Sequence, residues 1–353
     1  MAVGSDDHRR RLPDRHRQGP PEPGRAHRRG GEHRLSFGDD LKERIRSAGP
    51  ITVEAYMAAC NAHYYATRDP LGASGDFTTA PEIHQMFGEM VGACLADCWH
   101  RARQPDAIYA ELGPGRGTLA ADAIRLIGAL EVHLVETSPA LRDVQRSRVP
   151  GAVFHNRIEE LPARPLLLAA NEFLDALPVQ QWVGDEQRLI GSSSNGLGFM
   201  ANGLIVEISP ARDAAVKAIA TQIVRHGGAA LIIDYGHAAS ATGDTLQSVK
   251  SHGFADPLAD PGQQDLTAHV DFEAVAVVAR RAGAAVTTVA TQGDWLTRLG
   301  IVQRADALIR HNPDRADTIN AALARLTGKD QMGDLFKVIA IHSPDWPVPA
   351  GFE

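Results

Sequence analysis

The stretch Ile108-Tyr109-Ala110-Glu111-Leu112-Gly113-Pro114-Gly115-Arg116-Gly117-Thr118 decides the fold. An apolar run ends on an acid, three glycines follow at every second position, and a helix-forming segment takes over. Glycine lets the backbone turn sharply and approach a ligand where a Cβ would collide. Nineteen residues past Gly117, a second apolar run, Val132-His133-Leu134-Val135, ends on Glu136. An acid at that strand tip can accept hydrogen bonds from both ribose hydroxyls of a nucleoside. The dinucleotide fingerprint would need glycine at position 118, which is Thr118. Glu111, just before the glycines, also suits a cationic ligand better than a pyrophosphate. The loop therefore favours S-adenosyl-L-methionine, a sulfonium nucleoside without phosphate, over NAD. The plainer alternative is a tight turn that only packs its helix on the sheet.

Outward from this loop, short apolar runs alternate with helical segments. Strands are expected near 107–111, 132–136, 152–155, 165–170, 229–234, 284–290 and 336–342, with helices at 117–129, 138–147, 211–226 and 271–282. That alternation is the mark of an open parallel α/β sheet. Before it lie expected helices at 39–47 and 52–66, a Gly-rich loop at 67–80, and a long helix opened by Pro81 and reaching about Arg103. Two segments interrupt the alternation: short strands with Gly-rich turns at 179–208, and a polar loop region at 236–270. A helical pair split by Pro313 occupies 300–328. The resulting division is a disordered Arg-rich tail (1–36), a helical segment (37–104), an α/β domain (105–343) and a C-terminal tail (344–353).

Composition excludes several classes. No apolar run approaches the roughly 18 residues of a membrane-spanning helix. Three cysteines in 353 residues make no disulfide scaffold. A net charge of -7 disfavours a general nucleic-acid binder. Residues 1–34 hold nine Arg, four His and five acids, with almost no large apolar side chain, so they are expected to stay outside the fold. Those five acids and the lack of an apolar face argue against a transit peptide. Cys94 and Cys98 lie on one helix face without enough partners for zinc or an iron–sulfur cluster and read as small core residues; no metal site is expected.

The chemistry is expected at the carboxyl edge of the sheet, where ligands of such sheets bind. The fourth strand delivers Asn171-Glu172-Phe173-Leu174-Asp175 to that edge and the fifth delivers Asp234. Glu111, Gly113, Gly115, Gly117, Thr118, Glu136, Asn156 and Asn171 form the candidate cofactor set. Glu172, Asp175 and Asp234 form the candidate catalytic set. If the acceptor is a guanidinium, carboxylates can fix its planar fork, draw charge from the attacking nitrogen and take the released proton. The alternative for Asn171 and Asp175 is to cap the following turn. His252 and His269, in the second interruption, face substrate or serve surface and capping roles.

The blocks GDFTTAPEIHQMFGE (75–89), ELGPGRGTLAAD (111–122), HLVETSPALRDVQ (133–145), NEFLDALPVQQW (171–182), LIIDYGH (231–237), DLTAHVDF (265–272) and MGDLFKVIAI (332–341) occur in this order. Over residues 38–343 the chain resembles the MidA-like class I S-adenosylmethionine-dependent methyltransferases. The resemblance implies a Rossmann-like seven-stranded sheet ending in an antiparallel strand pair, with N-terminal helices and an inserted substrate-facing region. Mitochondrial members of that family are protein arginine methyltransferases acting in assembly of respiratory complex I. Arginine methylation of a protein partner, a complex I core subunit or its homologue, is thus implied. Gly75, Asp76, Phe77 and Thr78 would cover the methionine end of the cofactor. Residues 1–34 match nothing in the pattern, which leaves a bacterial cytoplasm and the mitochondrial matrix both open. Oligomeric state is not legible. Other readings are a cofactor-binding assembly factor without catalysis and a methyltransferase for another acceptor.

Overall fold

The computed structural model describes residues 36–67, 78–194, 196–250 and 253–352. The seven expected strands form one sheet: β1 (Ile108–Leu112), β2 (Glu131–Val135), β3 (Val153–His155), β4 (Leu166–Asn171), β5 (Gly228–His237), β6 in two pieces (Ala285–Val286 and Ala290–Thr291) and β7 (Phe336–His342). Their spatial order is β6-β7-β5-β4-β1-β2-β3. Strands β1 to β5 pair in parallel, and β7 runs antiparallel to both β5 and β6. Strand order reverses between β1 and β4, and this is where a crevice opens at the carboxyl ends.

Both faces of the sheet are covered, which explains why β1 and β4 are buried throughout. Alternate side chains serve the two cores. Tyr109, Leu167, Ala169, Leu231, Ile233 and Val338 pack with helices Met86–Arg101, Thr118–Ile127, Gln292–Arg298, Ile301–His311 and Ala316–Thr327. Ile108, Ala110, Leu168, Ile232 and Ile339 pack with helices Pro210–His226 and Phe272–Arg281. This is the two-residue period of a strand, read on both faces.

Helices Phe37–Ala48 and Val53–Thr67 join neither core. Leu41, Ile45, Tyr56 and Met57 pack instead with Val179, Ile190, Leu246 and Leu266, from the two interrupting segments. Asn61 pins this assembly to the sheet edge. Its amide donates to the carbonyls of Ala176 (3.0 Å) and Leu266 (2.7 Å), and its Oδ1 accepts from Leu266 N (3.2 Å).

Several expectations change. Ser36, assigned to the tail, caps helix Phe37–Ala48 by accepting from Asp39 N at 3.1 Å. The long helix from Pro81 is two helices, Ala80–Ile83 and Met86–Arg101. The chain is extended at His84, whose ring accepts from Met86 N at 3.2 Å, a local side-chain bond in place of the helical one. The second helix stops at Arg101, before Arg103 and Gln104 take positive φ. The sixth strand is interrupted because Thr287 Oγ1, in place of a backbone carbonyl, accepts from Ala340 N at 3.0 Å. The polar region 236–270 contains a three-stranded sheet of Gly253–Ala255, Gln247–Lys250 and Asp265–Thr267. Residues 344–352, read as a tail, are anchored: the thiols of Cys94 and Cys98 lie 3.4 and 3.3 Å from the carbonyls of Ala350 and Pro347. The Arg-rich segment 1–34 lies outside the described residues.

Candidate active site

Gly113, Gly115 and Gly117 have φ of +58°, +53° and +75°, the left-handed region that side chains with a Cβ avoid. Three such residues in alternation turn β1 into helix Thr118–Ile127 in the shortest space. A Cβ on Gly113 would also come within 3.1 Å of the Phe173 ring. Gly113 and Gly115 line a cleft of about 930 Å³ at the carboxyl ends of β1, β2 and β4. Gly117 shapes the turn without facing the cleft.

Glu111, Thr118, Glu136, Asn156, Asn171, Glu172 and Asp175 line the same cleft. At one end, Glu136 Oε1 accepts from Ser138 N (2.7 Å) and Oε2 from the Gln145 amide (3.3 Å). That amide also donates to Gly115 O at 2.6 Å, so Gln145 locks the glycine turn to the acid. Arg142 donates to the carbonyls of Glu136 and His155 and to Asn156 Oδ1, the last at 3.0 Å, which fixes the Asn156 amide at the tip of β3. Burial pushes Glu136 above its ordinary pKa although these donors oppose it. Thr118 donates to Glu82, tying the glycine turn to the segment that follows the 67–80 loop.

The other end is rich in acceptors. Burial pushes the Glu111 carboxyl up to about 8 despite the Tyr109 hydroxyl donating to it at 2.9 Å. Asn171 donates to Glu172 Oε1 at 3.1 Å, while its own Oδ1 is buried without a partner. Glu172 has φ +52°, an uncommon conformation for a residue with a long side chain, of the kind that gathers at functional sites. Its Oε1 also accepts from Ala80 N at 3.2 Å. Burial, then the nearby Asp175, raise its pKa to about 8. Burial likewise raises Asp175 to about 6, with Arg212 acting against it.

Asp234 is set behind this wall and does not line the cleft. It is fully buried, and its Oδ2 accepts from Leu174 N (3.0 Å) and Asp175 N (3.2 Å). Asp234 therefore caps the turn that presents Asp175. Arg212, buried on helix Pro210–His226, donates to the carbonyls of Leu174, Asp175, Ala268 and His269, joining that turn to the second interrupting segment. Sequence reasoning missed Gln145, Arg142 and Arg212. Of the block expected to cover the cofactor, Gly75, Asp76 and Phe77, like His252, lie outside the described residues. Thr78 is half-buried and stands off the cleft, whereas Thr79, Pro81 and Glu82 line it. Among the described residues, no group of three or more His, Cys, Asp or Glu could hold a metal ion.

The residues fit a sulfonium nucleoside bearing an ammonium group. Glu136 and Asn156 present polar groups at the nucleoside end. The unpartnered Asn171 Oδ1 and the buried Glu111 call for a cationic, N–H-bearing group at the other. A nucleoside-binding α/β sheet of this strand order, with carboxylates opposite the glycine turn, defines a class I methyltransferase. A model of S-adenosyl-L-methionine-dependent methyltransferases matches residues 90–197 and 191–290. The mitochondrial homolog of protein arginine methyltransferase NDUFAF7 in Drosophila melanogaster is 33% identical over 89% of this chain and 88% of its own. Mitochondrial protein arginine methyltransferase NDUFAF7 of Xenopus tropicalis is 32% identical over 84% of each chain. A crystal structure of a Burkholderia thailandensis protein bound to S-adenosyl-homocysteine superimposes with a TM-score of 0.78, at 25% identity, over 89% of this chain and 93% of that one. The chain belongs to this S-adenosyl-L-methionine-dependent methyltransferase family.

Proposed function

We propose that this methyltransferase is a protein arginine N-methyltransferase that modifies a core subunit of respiratory complex I, or its homologue, during assembly. The observation that carries this reading is the pair Glu172, half-buried, and Asp175, buried, whose carboxyl groups line the cleft beside the cofactor end. Burial opposes their ionisation, and an incoming cation favours it. The relatives' names supply the arginine and the mitochondrial setting. The matrix is accordingly the proposed compartment, with the cytoplasm its counterpart in a bacterial cell. No helix among the described residues is long and apolar enough to cross a membrane.

When bound, S-adenosyl-L-methionine supplies the methyl group on a sulfonium. Glu136, Asn156, Glu111, Asn171 and the glycine turn would hold it. Glu172 and Asp175 pair with the substrate guanidinium and fix its plane, which supplies positioning for the in-line approach that methyl transfer needs. They also draw positive charge away from the attacking nitrogen. The proton lost from that nitrogen passes to the Glu172 carboxylate. Asp234 and Arg212 hold the turn on which Asp175 stands.

The raised carboxyl groups give this scheme a pH signature. At low pH both are neutral and the guanidinium, with a pKa above about 12, finds no anion. As pH rises through about 6 and then about 8, Asp175 and Glu172 ionise. Accordingly, kcat/KM for the protein substrate should climb across that range and level off above it. A flat profile would remove the two carboxyl groups from substrate binding. The functional reading itself is tested by mass spectrometry of arginine methylation in cells with and without the protein. Loss of methyl-arginine from one assembly substrate supports it, and an unchanged arginine methylome overturns it.

A further inference from the structure

Gln145 is 0% exposed on helix Pro139–Arg148, which Ser138 caps. One turn earlier on that helix stands Arg142, which donates to the carbonyls of Glu136 and His155 and to Asn156 Oδ1. The Gln145 amide donates to Gly115 O at 2.6 Å and to Glu136 Oε2 at 3.3 Å. A carbonyl and an ionised carboxylate can only accept, so the amide nitrogen must face them and Oε1 must face away. That Oε1 is buried and has no hydrogen-bond partner among the described residues. A buried acceptor left unpaired costs stability, and an apolar side chain of the same length would avoid it. What explains an amide here is the pair of groups that its donors hold.

We infer that Gln145 is a positioning residue for cofactor binding, holding the glycine turn and the Glu136 carboxylate in one fixed relation through its two amide N–H groups. This rests on the reading of that turn and of Glu136 as the cofactor site. A carboxylate that accepts from two ribose hydroxyls must be ionised and held at a set angle. Ser138 N holds Oε1 of Glu136 at 2.7 Å, and Gln145 holds Oε2. Of these two donors, only Gln145 also reaches the turn, at Gly115 with φ +53°. The turn packs on the same side chain, since a Cβ at Gly117 would stand 3.5 Å from Gln145 Cγ. Gln145 also opposes the rise that burial imposes on the Glu136 pKa. The other charged and titratable groups around Glu136 are Arg142 on the helix of Gln145, His155, Arg157 and Glu159 at and beyond the tip of β3, Arg116 in the glycine turn and Glu111 on β1. Substitution at position 145 leaves all of them in the chain.

Gln145→Met keeps the length of the side chain and removes both donors. In the purified full chain at pH 7, S-adenosyl-homocysteine should bind about tenfold or more weaker by calorimetry. The 2′,3′-dideoxy analogue of S-adenosyl-homocysteine reads the positioning itself. Wild type should prefer the parent ligand by about tenfold or more, and in Gln145→Met that preference should shrink toward unity, because both changes act through Glu136. Raising the pH should restore part of the affinity of Gln145→Met, since loss of a donor disfavours the ionised Glu136 carboxyl and alkali regenerates it. Gln145→Glu should behave in the opposite way: its carboxyl donates only when protonated, so affinity falls as pH rises. A purely structural role would lower thermal stability and weaken both ligands by the same factor at every pH, and that result overturns the inference. So do parallel pH profiles for Gln145→Glu and wild type, which covers a Gln145→Met chain that does not fold. A wild type that does not distinguish the two ligands overturns the placement of the ribose on Glu136, whereas a wild-type preference kept intact in both variants overturns this inference alone.

Discussion

The Glu172→Gln variant is expected to bind S-adenosyl-homocysteine within about twofold of wild type and to methylate arginine slower by about two orders of magnitude or more. Gln retains the length of the side chain and an oxygen that can accept from Ala80 N and Asn171, the two donors on Oε1. It can neither pair with a guanidinium as an anion nor take the proton released on transfer. The backbone at this position is held at φ +52° by a Glu172 N–H bond to Ile233 O at 2.9 Å, which the substitution leaves in place. Loss of rate therefore reports charge and not collapse of the turn. Single-turnover kinetics beside calorimetry separate the two quantities. Normal transfer in this variant would take Glu172 out of the mechanism.

Gly115→Val should abolish cofactor binding, weakening S-adenosyl-homocysteine by at least about a hundredfold. A β-branched residue at φ +53° is a conformational outlier, so the loop must shift or strain. Any shift is transmitted, because Gly115 O accepts from the same Gln145 amide that holds Glu136. The added side chain also enters the cleft that Gly115 lines. Far-UV circular dichroism should show the sheet and helices retained. Wild-type affinity in Gly115→Val would contradict the placement of the cofactor, and tight NAD binding by the wild type would contradict its identity.

The parts of this molecule that could be read in advance are those whose meaning is local in the chain. Short continuous apolar runs such as β1, β4 and β5, alternating with helical segments, are enough to show an open parallel α/β sheet, and the glycine turn with Glu136 follows from spacing. Features that depend on distant partners were not legible. Gln145 is one polar residue on an amphipathic helix until its amide is seen between Gly115 O and Glu136. Arg212 looks like a solvated helix residue, yet it is buried and directed to four carbonyls. Asp234 was placed at the correct strand end, but its side chain faces the backbone of residues 174 and 175. The sheet within 236–270 escaped notice because its strands are only three or four residues long and largely polar. Nor does any sequence pattern mark the positive φ of Glu172, since glycine is the usual signal for that conformation.

Methyl transfer by the purified full chain tests the central claim most directly. Labelled S-adenosyl-L-methionine is supplied with a complex I core subunit or its homologue, and the labelled side chain is mapped by mass spectrometry. Label on arginine, lost in Glu172→Gln, is the predicted result. Label on lysine, a carboxylate or nucleic acid would contradict the arginine assignment, and no label at all from a protein that binds S-adenosyl-homocysteine normally would point to an assembly factor without catalysis.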